Sequence, residues 1–226
     1  MEWALAAMRG TAQELHHADL DVTGAVVYPM TLSHPAVVLG STQPVGDLAV
    51  DTVLDLGIDV ARRRSGGGLV LLIPGEHLWV DVVMPRTHPG WHDDVDRAAR
   101  WMGERWRHAL GLLDRGIGDV TVHNAQPVAR DVGRQVCFGG IGMGEVLVNG
   151  RKLIGISQRR SRLAARFQCA VHLSFDPAVH VALVDSASRH GDLAARLRAV
   201  ATLDAASASV LVERLMRSLA DDTSAH

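Results

Sequence analysis

The chain has little of what marks membrane, secreted or fibrous proteins. Among its 226 residues no apolar run approaches the roughly 18 residues that a transmembrane helix needs, and the first ten carry Glu2 and no signal-peptide pattern. Only two cysteines are present, Cys137 and Cys169, and an intracellular chain keeps such thiols reduced. We therefore expect a cytoplasmic protein without a disulfide, in which each cysteine either fills the core or takes part in chemistry.

An excess of charge of either sign is also missing. The sequence carries 23 Lys and Arg against 25 Asp and Glu, a formal net charge of −2, which argues against a nucleic-acid or membrane partner for the chain as a whole. Hydrophobic residues make up 47% and no repeat is found, so the chain can bury one core. We expect a single domain over residues 1–226, with a helical C-terminal segment at 177–226 and no separate accessory domain.

Hydrophobic periodicity predicts both strands and helices. Short β-branched and apolar runs predict strands at 35–41, 58–62, 69–73, 77–84, 120–122, 136–138, 144–148, 152–157 and 167–175. Helical spacing predicts a short helix at 50–56 and the longest helix within 89–113, where acidic residues suit the N-terminus. Because the elements do not alternate as regular βαβ units, the pattern predicts an α+β fold, with a mixed, largely antiparallel sheet flanked by helices.

Lysine is almost absent, and its single occurrence is informative. Of the 23 Lys and Arg side chains, 22 are arginine and one is Lys152. A lysine supplies a compact ammonium charge that the planar guanidinium of arginine cannot replace. Lys152 follows the hairpin-turn signal Asn149-Gly150, and strand alternation directs it away from Leu153, with Gly155 leaving room for close approach. One lysine can survive by chance, but this setting favours a functional role.

A glycine-rich segment adds a possible anion site. Residues 62–68 read Arg-Arg-Arg-Ser-Gly-Gly-Gly. Consecutive glycines let backbone N–H groups converge on an anion, and arginine binds phosphate through paired hydrogen bonds. A flexible hairpin with a solvated basic edge would show the same pattern. Further arginines follow Lys152 and favour a local anionic partner, namely Arg159, Arg160, Arg162 and Arg166.

Together the two segments resemble the signatures of a known enzyme family. Residues 62–68 are similar to the Arg-Arg-any-Ser-Gly-Gly-Gly signature of the lipoate-protein ligase and octanoyltransferase family, and residues 150–159 resemble its second signature. The segments occur in the family order, and the resemblance spans residues 35–177, including Gln168. It implies the fold of biotin and lipoate ligase catalytic domains, in which a mixed sheet encloses an acyl tunnel.

The resemblance also implies roles for individual residues. Lys152 would contact the acyl carbonyl and any adenylate, and Arg63 would bind phosphate. The other residues implied to bind the acyl group or an adenylate are Ser65, Gly66, Gly67, Gly68, Leu69, Val70, Leu71, Gly155, Ser157 and Gln158.

The position of a cysteine distinguishes the branches of the family. One octanoyltransferase branch carries the acyl group as a thioester on a cysteine that stands in a Cys-Phe segment shortly before the lysine. Here Cys137-Phe138 precedes Lys152 by 15 residues. The resemblance therefore implies that Cys137 is a nucleophile, since a thiolate beside an ammonium attacks thioesters readily. A cysteine that only fills the sheet is the alternative. Cys169 stands where the family commonly has histidine, and strand alternation favours a place in the core.

These implications lead to one preferred hypothesis and two alternatives. The preferred one is transfer of a lipoyl or octanoyl group, from acyl carrier protein or a lipoyl protein, to the lysine of a lipoyl-carrier domain of the H-protein or dehydrogenase E2 type. No permanently bound cofactor is needed. The first alternative is a lipoate-protein ligase that uses ATP and Mg²⁺ to form lipoyl-AMP. The second is a non-catalytic relative that binds lipoate or a carrier protein.

Departures from the family pattern bear on this choice. Many members continue after the triple glycine with an aromatic residue, a histidine and an aspartate, where this chain has Leu71, Leu72 and Ile73. The 49 residues 178–226 are too few for the accessory domain of a classical ligase, which favours transfer. The histidines show no metal-ligand spacing, so no metal site is predicted.

Overall fold

The chain folds into two β-sheets with helices on their outer sides, in a computed structural model that describes residues 2–223. The strands are β1 (Trp3–Leu5), β2 (Met8–Gly10), β3 (Ala25–Leu32), β4 (Ala36–Leu39), β5 (Asp59–Arg62), β6 (Val70–Leu72), β7 (His77–Pro85), β8 (Val120–Val122), β9 (Val146–Val148), β10 (Arg151–Arg160) and β11 (Ala164–His172). The helices are α1 (Ala12–His17), α2 (Val50–Asp55), α3 (Val95–Gly111), α4 (Arg130–Gln135), α5 (Pro177–Ala182), α6 (Leu193–Leu197) and α7 (Ala205–Thr223).

The large sheet has eight strands and a mixed topology. Its order is β1-β3-β7-β11-β10-β9-β8, and β2 also pairs with β3. Strands β1 and β2 run parallel to β3, and the other neighbours are antiparallel. A smaller sheet has the order β5-β4-β6, with β4 parallel to β5 and antiparallel to β6. The predicted α+β fold with a mixed, largely antiparallel sheet is thereby confirmed.

A tight turn joins β9 to β10, and β10 pairs with β11 along its other edge. Asn149 and Gly150 both adopt positive φ angles, 51° and 73°, as the two-residue hairpin turn between β9 and β10 requires. Along β10 and β11 the pairs Gly155–Ala170, Ser157–Gln168 and Arg159–Arg166 then lie directly opposite each other. Because alternate residues share a face, these pairs form one row of side chains on the same face of the sheet.

Three clusters of buried side chains hold the layers together. In the first, Trp106 of α3 and Leu215 of α7 pack against the large sheet. The second lies between the two sheets and includes Val38 of β4 and Trp79 of β7. The third lies on the far side of the small sheet, where Leu39 packs with residues of α2 and α6. The space between the sheets is the part of the fold that positions the site.

The helix predicted within 89–113 is present, but it is not the longest described helix. It begins at Val95, where Asp94 caps it by accepting a hydrogen bond from the Arg97 backbone N–H, so its N-terminus lies at the acidic residues expected there. With 17 residues it is shorter than α7, which has 19, so the longest described helix is at the C-terminal end. Beyond residue 177 the described chain forms α5, α6 and α7.

The predicted strand at 136–138 is a turn. Val136 makes one bridge to Leu69, after which Cys137–Gly139 form a 3₁₀ turn closed by the Gly139 N–H on the Val136 carbonyl at 2.8 Å. The apolar Val-Cys-Phe triplet is typical of a strand, but α4 ends directly before it and glycines follow it. The turn places the sulfur of Cys137 at the end of a tight bend.

The N-terminal region, for which no elements were predicted, contributes to the site. Helix α1 begins with a capping box, in which the Thr11 side chain and the Glu14 side chain each bond the backbone of the other residue. Its last turn brings His16 against Trp79 of β7, with ring centroids 4.4 Å apart. Within residues 2–223, no helix combines the length and the apolar character needed to cross a membrane.

Candidate active site

Lys152 is buried at the start of β10 and its ammonium group is fully engaged. The residue is 3% exposed. Its Nζ lies 2.7 Å from Oε2 of Glu145, 2.8 Å from the Cys137 carbonyl oxygen and 3.1 Å from the Gly140 carbonyl oxygen. The ring centroid of Phe138 lies 4.8 Å from the same nitrogen. An ammonium group has three N–H donors, so these contacts hold one compact charge at a defined point.

Glu145 is the counter-ion of Lys152. Its Oε2 also accepts from the Gly142 N–H at 2.7 Å, and its Oε1 accepts from the Ile156 N–H at 3.3 Å. A buried charge needs such pairing, because removal of one partner leaves the other uncompensated. The sequence interpretation missed Glu145. The available signal was that it is the one acidic residue between Asp131 and Lys152.

Cys137 lies beside this ion pair. Its Sγ is 4.0 Å from the Nζ of Lys152, and its backbone N–H bonds the Leu69 carbonyl. The side chain is partly exposed, whereas Cys169 is buried and burial raises the pKa of the Cys169 thiol far above its ordinary value. The predicted difference between the two cysteines is therefore visible in the structure: Cys137 is accessible, and Cys169 is an uncharged core thiol.

An apolar cavity lies between the two sheets and reaches Cys137. About 440 Å³ of space not filled by atoms lies in it, counting the solvent at its mouth. Its walls are formed by His16, Val38, Arg63, Val70, Leu72, Trp79, Cys137, Phe138, Gly155, Ile156, Ser157, Gln168, Cys169 and Ala170. A Cβ on Gly155 would lie 3.1 Å from the Phe138 ring, so glycine allows the close approach of Phe138 that was expected at this position.

A second recess meets the cavity at the same cysteine. It encloses about 740 Å³ and opens beside Gly66 and Gly67. Arg130 and Arg134 of α4 give it a basic wall, and Lys152 and Glu145 lie at its floor. Cys137, Ile156 and Ser157 line both spaces. The apolar cavity and the basic recess therefore meet at Cys137.

A chain of hydrogen bonds crosses one wall of the cavity. The hydroxyls of Ser157 and Ser65 lie 3.1 Å apart, and the Ser65 hydroxyl donates to Oε1 of Gln168 at 2.8 Å. The Nε2 of Gln168 lies 2.9 Å from the Nδ1 of His16. Burial, followed by the charge of Arg63, lowers the pKa of His16 to about 2, so its ring is neutral at ordinary pH.

Arg63 is buried next to the glycine-rich loop and donates hydrogen bonds to its backbone. It is 4% exposed, and its guanidinium donates to the carbonyls of Gly66 at 2.9 Å, Gly68 at 2.8 Å and Val38 at 3.4 Å. Burial lowers the pKa of this arginine below its ordinary value. Its described hydrogen bonds thus go to backbone carbonyls of the protein. Binding of a phosphate by Arg63 stays a prediction.

Replacement of Arg63 by alanine is expected to lower the free energy of unfolding by about 2–4 kcal/mol, because the buried bonds to the Val38 and Gly68 carbonyls and the part-buried bond to the Gly66 carbonyl lose a charged donor. Chemical denaturation would measure the change. The exposed neighbour provides a matched control, since Arg64→Ala should change stability by no more than about 0.5 kcal/mol. Equal stability of the two variants would contradict the loop-shaping role.

The remaining predicted residues differ in position: some line the cavity, some line the recess, and some line neither space. Val70 lines the cavity, but strand alternation turns Leu69 and Leu71 to the opposite side, into the cluster behind the small sheet. Gly68 packs against α4, where an added Cβ would lie 2.6 Å from the Gly133 carbonyl oxygen. Gln158 donates to the Val95 carbonyl at 2.7 Å and belongs to the α3 side of the sheet.

Gln168 and His16 line the cavity, and Gln158 is not among the residues that form its walls. The resemblance already included Gln168, but His16 had no sequence signal. Among the described residues no cluster of three His, Cys, Asp or Glu side chains is placed to hold a metal ion.

A buried ion pair beside an accessible cysteine, between an apolar cavity and a basic recess, defines a class of enzyme that handles an acyl group. The model of the lipoyl protein ligase A/B catalytic domain matches residues 5–221, and the chain belongs to this family. It is an enzyme of the acyltransferase or ligase type. The predicted family and fold are confirmed.

Similar proteins agree with this assignment. The chain is 29% identical over 202 residues to the octanoyltransferase LipM of Kyrpidia tusciae, which covers 83% of this chain and 70% of the relative. The solved structure of protein Ta0514 of T. acidophilum with bound lipoic acid has a TM-score of 0.73 at 17% identity, covering 97% of this chain and 86% of that one. A bi-partite lipoate protein ligase of Thermoplasma acidophilum, studied with its E2 lipoyl domain, has a TM-score of 0.71 at 17% identity, covering 97% and 84%. At these identities the solved structures show the fold alone.

Proposed function

We propose that this enzyme acts in protein lipoylation by transferring a lipoyl or octanoyl group to the lysine of a lipoyl-carrier domain through a thioester on Cys137. The observation that carries the proposal is the position of the Cys137 sulfur. It lies where the apolar cavity meets the basic recess, 4.0 Å from the ammonium of Lys152. The kinship with an octanoyltransferase supports transfer as the reaction.

The reaction would take place in two balanced steps. In the first, the Cys137 thiol gives up its proton and its sulfur attacks the carbonyl carbon of a donor thioester. The new C–S bond forms, the C–S bond of the donor breaks, and the donor leaves as a thiolate that takes up a proton to become the free thiol. In the second, the neutral amine of the acceptor lysine attacks the Cys137 thioester. The C–N bond of the amide forms, the C–S bond breaks, and the proton of the amine returns to the sulfur.

Lys152 would stabilise the negative charge that develops in both steps. The carbonyl oxygen of the acyl group becomes negative when sulfur or nitrogen attacks, and a fixed positive charge nearby lowers the barrier. Glu145 and the two carbonyls hold that charge in place before substrate arrives. Because the three donors of Lys152 are engaged, one of the carbonyl contacts must give way when the acyl oxygen binds.

The recess supports two partners of the reaction. Its arginines, Arg130 and Arg134, are exposed and suit the phosphate of a carrier-bound thioester, as in acyl carrier protein, or the acidic surface of an acceptor. A lipoyl-carrier domain of the H-protein or dehydrogenase E2 type would present its lysine through the same opening. A ligase that shares this fold was studied with its E2 lipoyl domain, and a partner of that type fits the proposal.

The ligase alternative rests on the same recess. Gly66, Gly67, Arg130 and Arg134 would hold the phosphates of ATP or of lipoyl-AMP, and the nucleotide would supply the leaving group. Glu145 is the acidic residue in the described lining, and it is engaged with Lys152, so Mg²⁺ would be held mainly by the phosphates. In that reaction Cys137 would have no chemical role. A purely binding protein would have no use for the cysteine beside the ion pair.

One experiment separates these functions. The protein is incubated with an apo lipoyl-carrier domain and, in separate reactions, with octanoyl carrier protein, lipoyl protein, or free lipoate with and without ATP, and the mass of the acceptor is read. A gain of the acyl mass from a thioester or lipoyl-protein donor without ATP is the expected result. A gain only with lipoate and ATP would establish the ligase, and no gain with any donor would favour the binding role.

A further inference from the structure

One buried polar atom in the wall of the apolar cavity has no partner. Among the described side chains that line the cavity, the Nε2 of His16 is the buried nitrogen or oxygen that lacks a hydrogen bond. His16 itself is 6% exposed. Buried polar groups are normally paired, so an unpaired one in a substrate cavity indicates a partner that comes with the ligand.

The hydrogen-bond chain determines what kind of partner this atom needs. The Oε1 of Gln168 accepts from the Ser65 hydroxyl at 2.8 Å. The NH₂ group of Gln168 therefore lies on the other side of the amide, 2.9 Å from the Nδ1 of His16, to which it donates. The ring proton of His16 must then sit on Nε2. The free atom is an N–H donor, and the ligand must supply an acceptor.

His16 is on the side of the cavity away from the reacting sulfur. It stacks on Trp79 of β7, whereas Lys152 and Ser157 belong to β10, and β11 lies between these strands. Two strand spacings are about 10 Å, which is comparable with an extended eight-carbon acyl chain. An acyl group attached to Cys137 would therefore bring its distal end toward His16.

We propose that His16 selects acyl groups that carry a hydrogen-bond acceptor at the distal end, and that the dithiolane sulfurs of a lipoyl group serve as that acceptor. The inference deepens the proposed function and rests on it, because it concerns the same acyl cavity. Sulfur accepts hydrogen bonds weakly, and the methyl end of an octanoyl chain does not accept at all. An octanoyl group would bury the N–H of His16 without a partner, whereas a lipoyl group would pair it.

Shape and hydrogen bonding can be separated with a carbon analogue. Quenching of tryptophan fluorescence, to which Trp79 in the cavity wall contributes, would report the dissociation constants of lipoic acid and 5-cyclopentylpentanoic acid, in which CH₂ groups replace both sulfurs. Wild-type protein is expected to bind lipoic acid roughly 3- to 10-fold more tightly. 8-Hydroxyoctanoic acid, compared with octanoic acid, tests whether an oxygen acceptor serves as well as sulfur.

Substitutions of His16 test whether its Nε2 causes the preference for lipoic acid. His16→Phe keeps a ring against Trp79 but has no donor, and the ratio of the two dissociation constants should fall to about one. His16→Gln retains an N–H donor and should keep part of the preference, which guards against a general loss of folding. His88→Phe is the control, because His88 is buried against Trp3, which packs in the cluster on the α3 side of the large sheet, and its replacement should leave the ratio unchanged.

The outcomes distinguish the two proposals. Equal binding of the two ring compounds by wild type, an unchanged ratio in His16→Phe, or no binding of either compound would overturn the role of His16. A preference that depends on His16, together with no acyl transfer to an apo carrier domain from any donor, would overturn the proposed function and leave the selection of the acyl end intact.

Discussion

Lys152→Arg is expected to reduce acyl transfer by about 100-fold or more, because loss of one fixed electrostatic stabiliser typically lowers kcat by this factor. The site accommodates an ammonium group within 3.1 Å of two carbonyls and Glu145, with the Phe138 ring nearby. A planar guanidinium is larger and cannot place its charge at the same point. Single-turnover transfer from a thioester donor would measure the loss, and activity within ten-fold of wild type would contradict the assignment.

A double variant separates catalysis from folding at this position. Lys152→Met should destabilise the protein by about 3–5 kcal/mol, because Glu145 is left as an uncompensated buried charge. Adding Glu145→Gln removes that charge and should restore much of the stability measured by chemical denaturation. Transfer should stay lost in the double variant. A stable and active double variant would show that the ion pair serves the fold alone.

The sequence predicted those features of the site that depend on residues close together in the chain. Lys152 is conspicuous as the one lysine, and the Asn149-Gly150 turn before it marks the start of β10. The faces of the later residues did not follow from alternation, because the pairing register shifts between Lys152 and Ile154. Lys152 and Ser157 are an odd number of positions apart, yet both line the recess.

Residues that meet the site from distant segments were harder to predict. Glu145 reaches Lys152 across a glycine-rich loop, and His16 arrives on a short helix far away in sequence. The turn at Cys137 depends on α4 ending one residue earlier and on packing against Leu69, so the apolar triplet alone could not reveal it. Leu69 and Leu71 were grouped with Val70, although alternation along β6 separates them.

Cys137→Ser is expected to abolish transfer from thioester donors. Wild-type protein mixed with octanoyl carrier protein and no acceptor should gain the mass of an octanoyl group, and hydroxylamine should remove it, as a thioester requires. A serine hydroxyl in the same position remains protonated at neutral pH and is a poor nucleophile, so the variant should form no labile adduct and show no useful turnover. Intact-protein mass spectrometry would measure both results.

Cys169→Ser is the matched control for this prediction. Cys169 belongs to the core cluster of the large sheet and also contributes to the cavity wall, and its raised pKa keeps it an uncharged thiol, so the nearly isosteric serine should retain both adduct and transfer. If the enzyme is instead a ligase, Cys137→Ser should remain active with lipoate and ATP, because the acyl group is then held as an anhydride with AMP and needs no covalent link to the protein. An adduct on Cys169, or full transfer without Cys137, would overturn the thioester mechanism. The family assignment would stand in either case, since it rests on residues 5–221 and not on the cysteine.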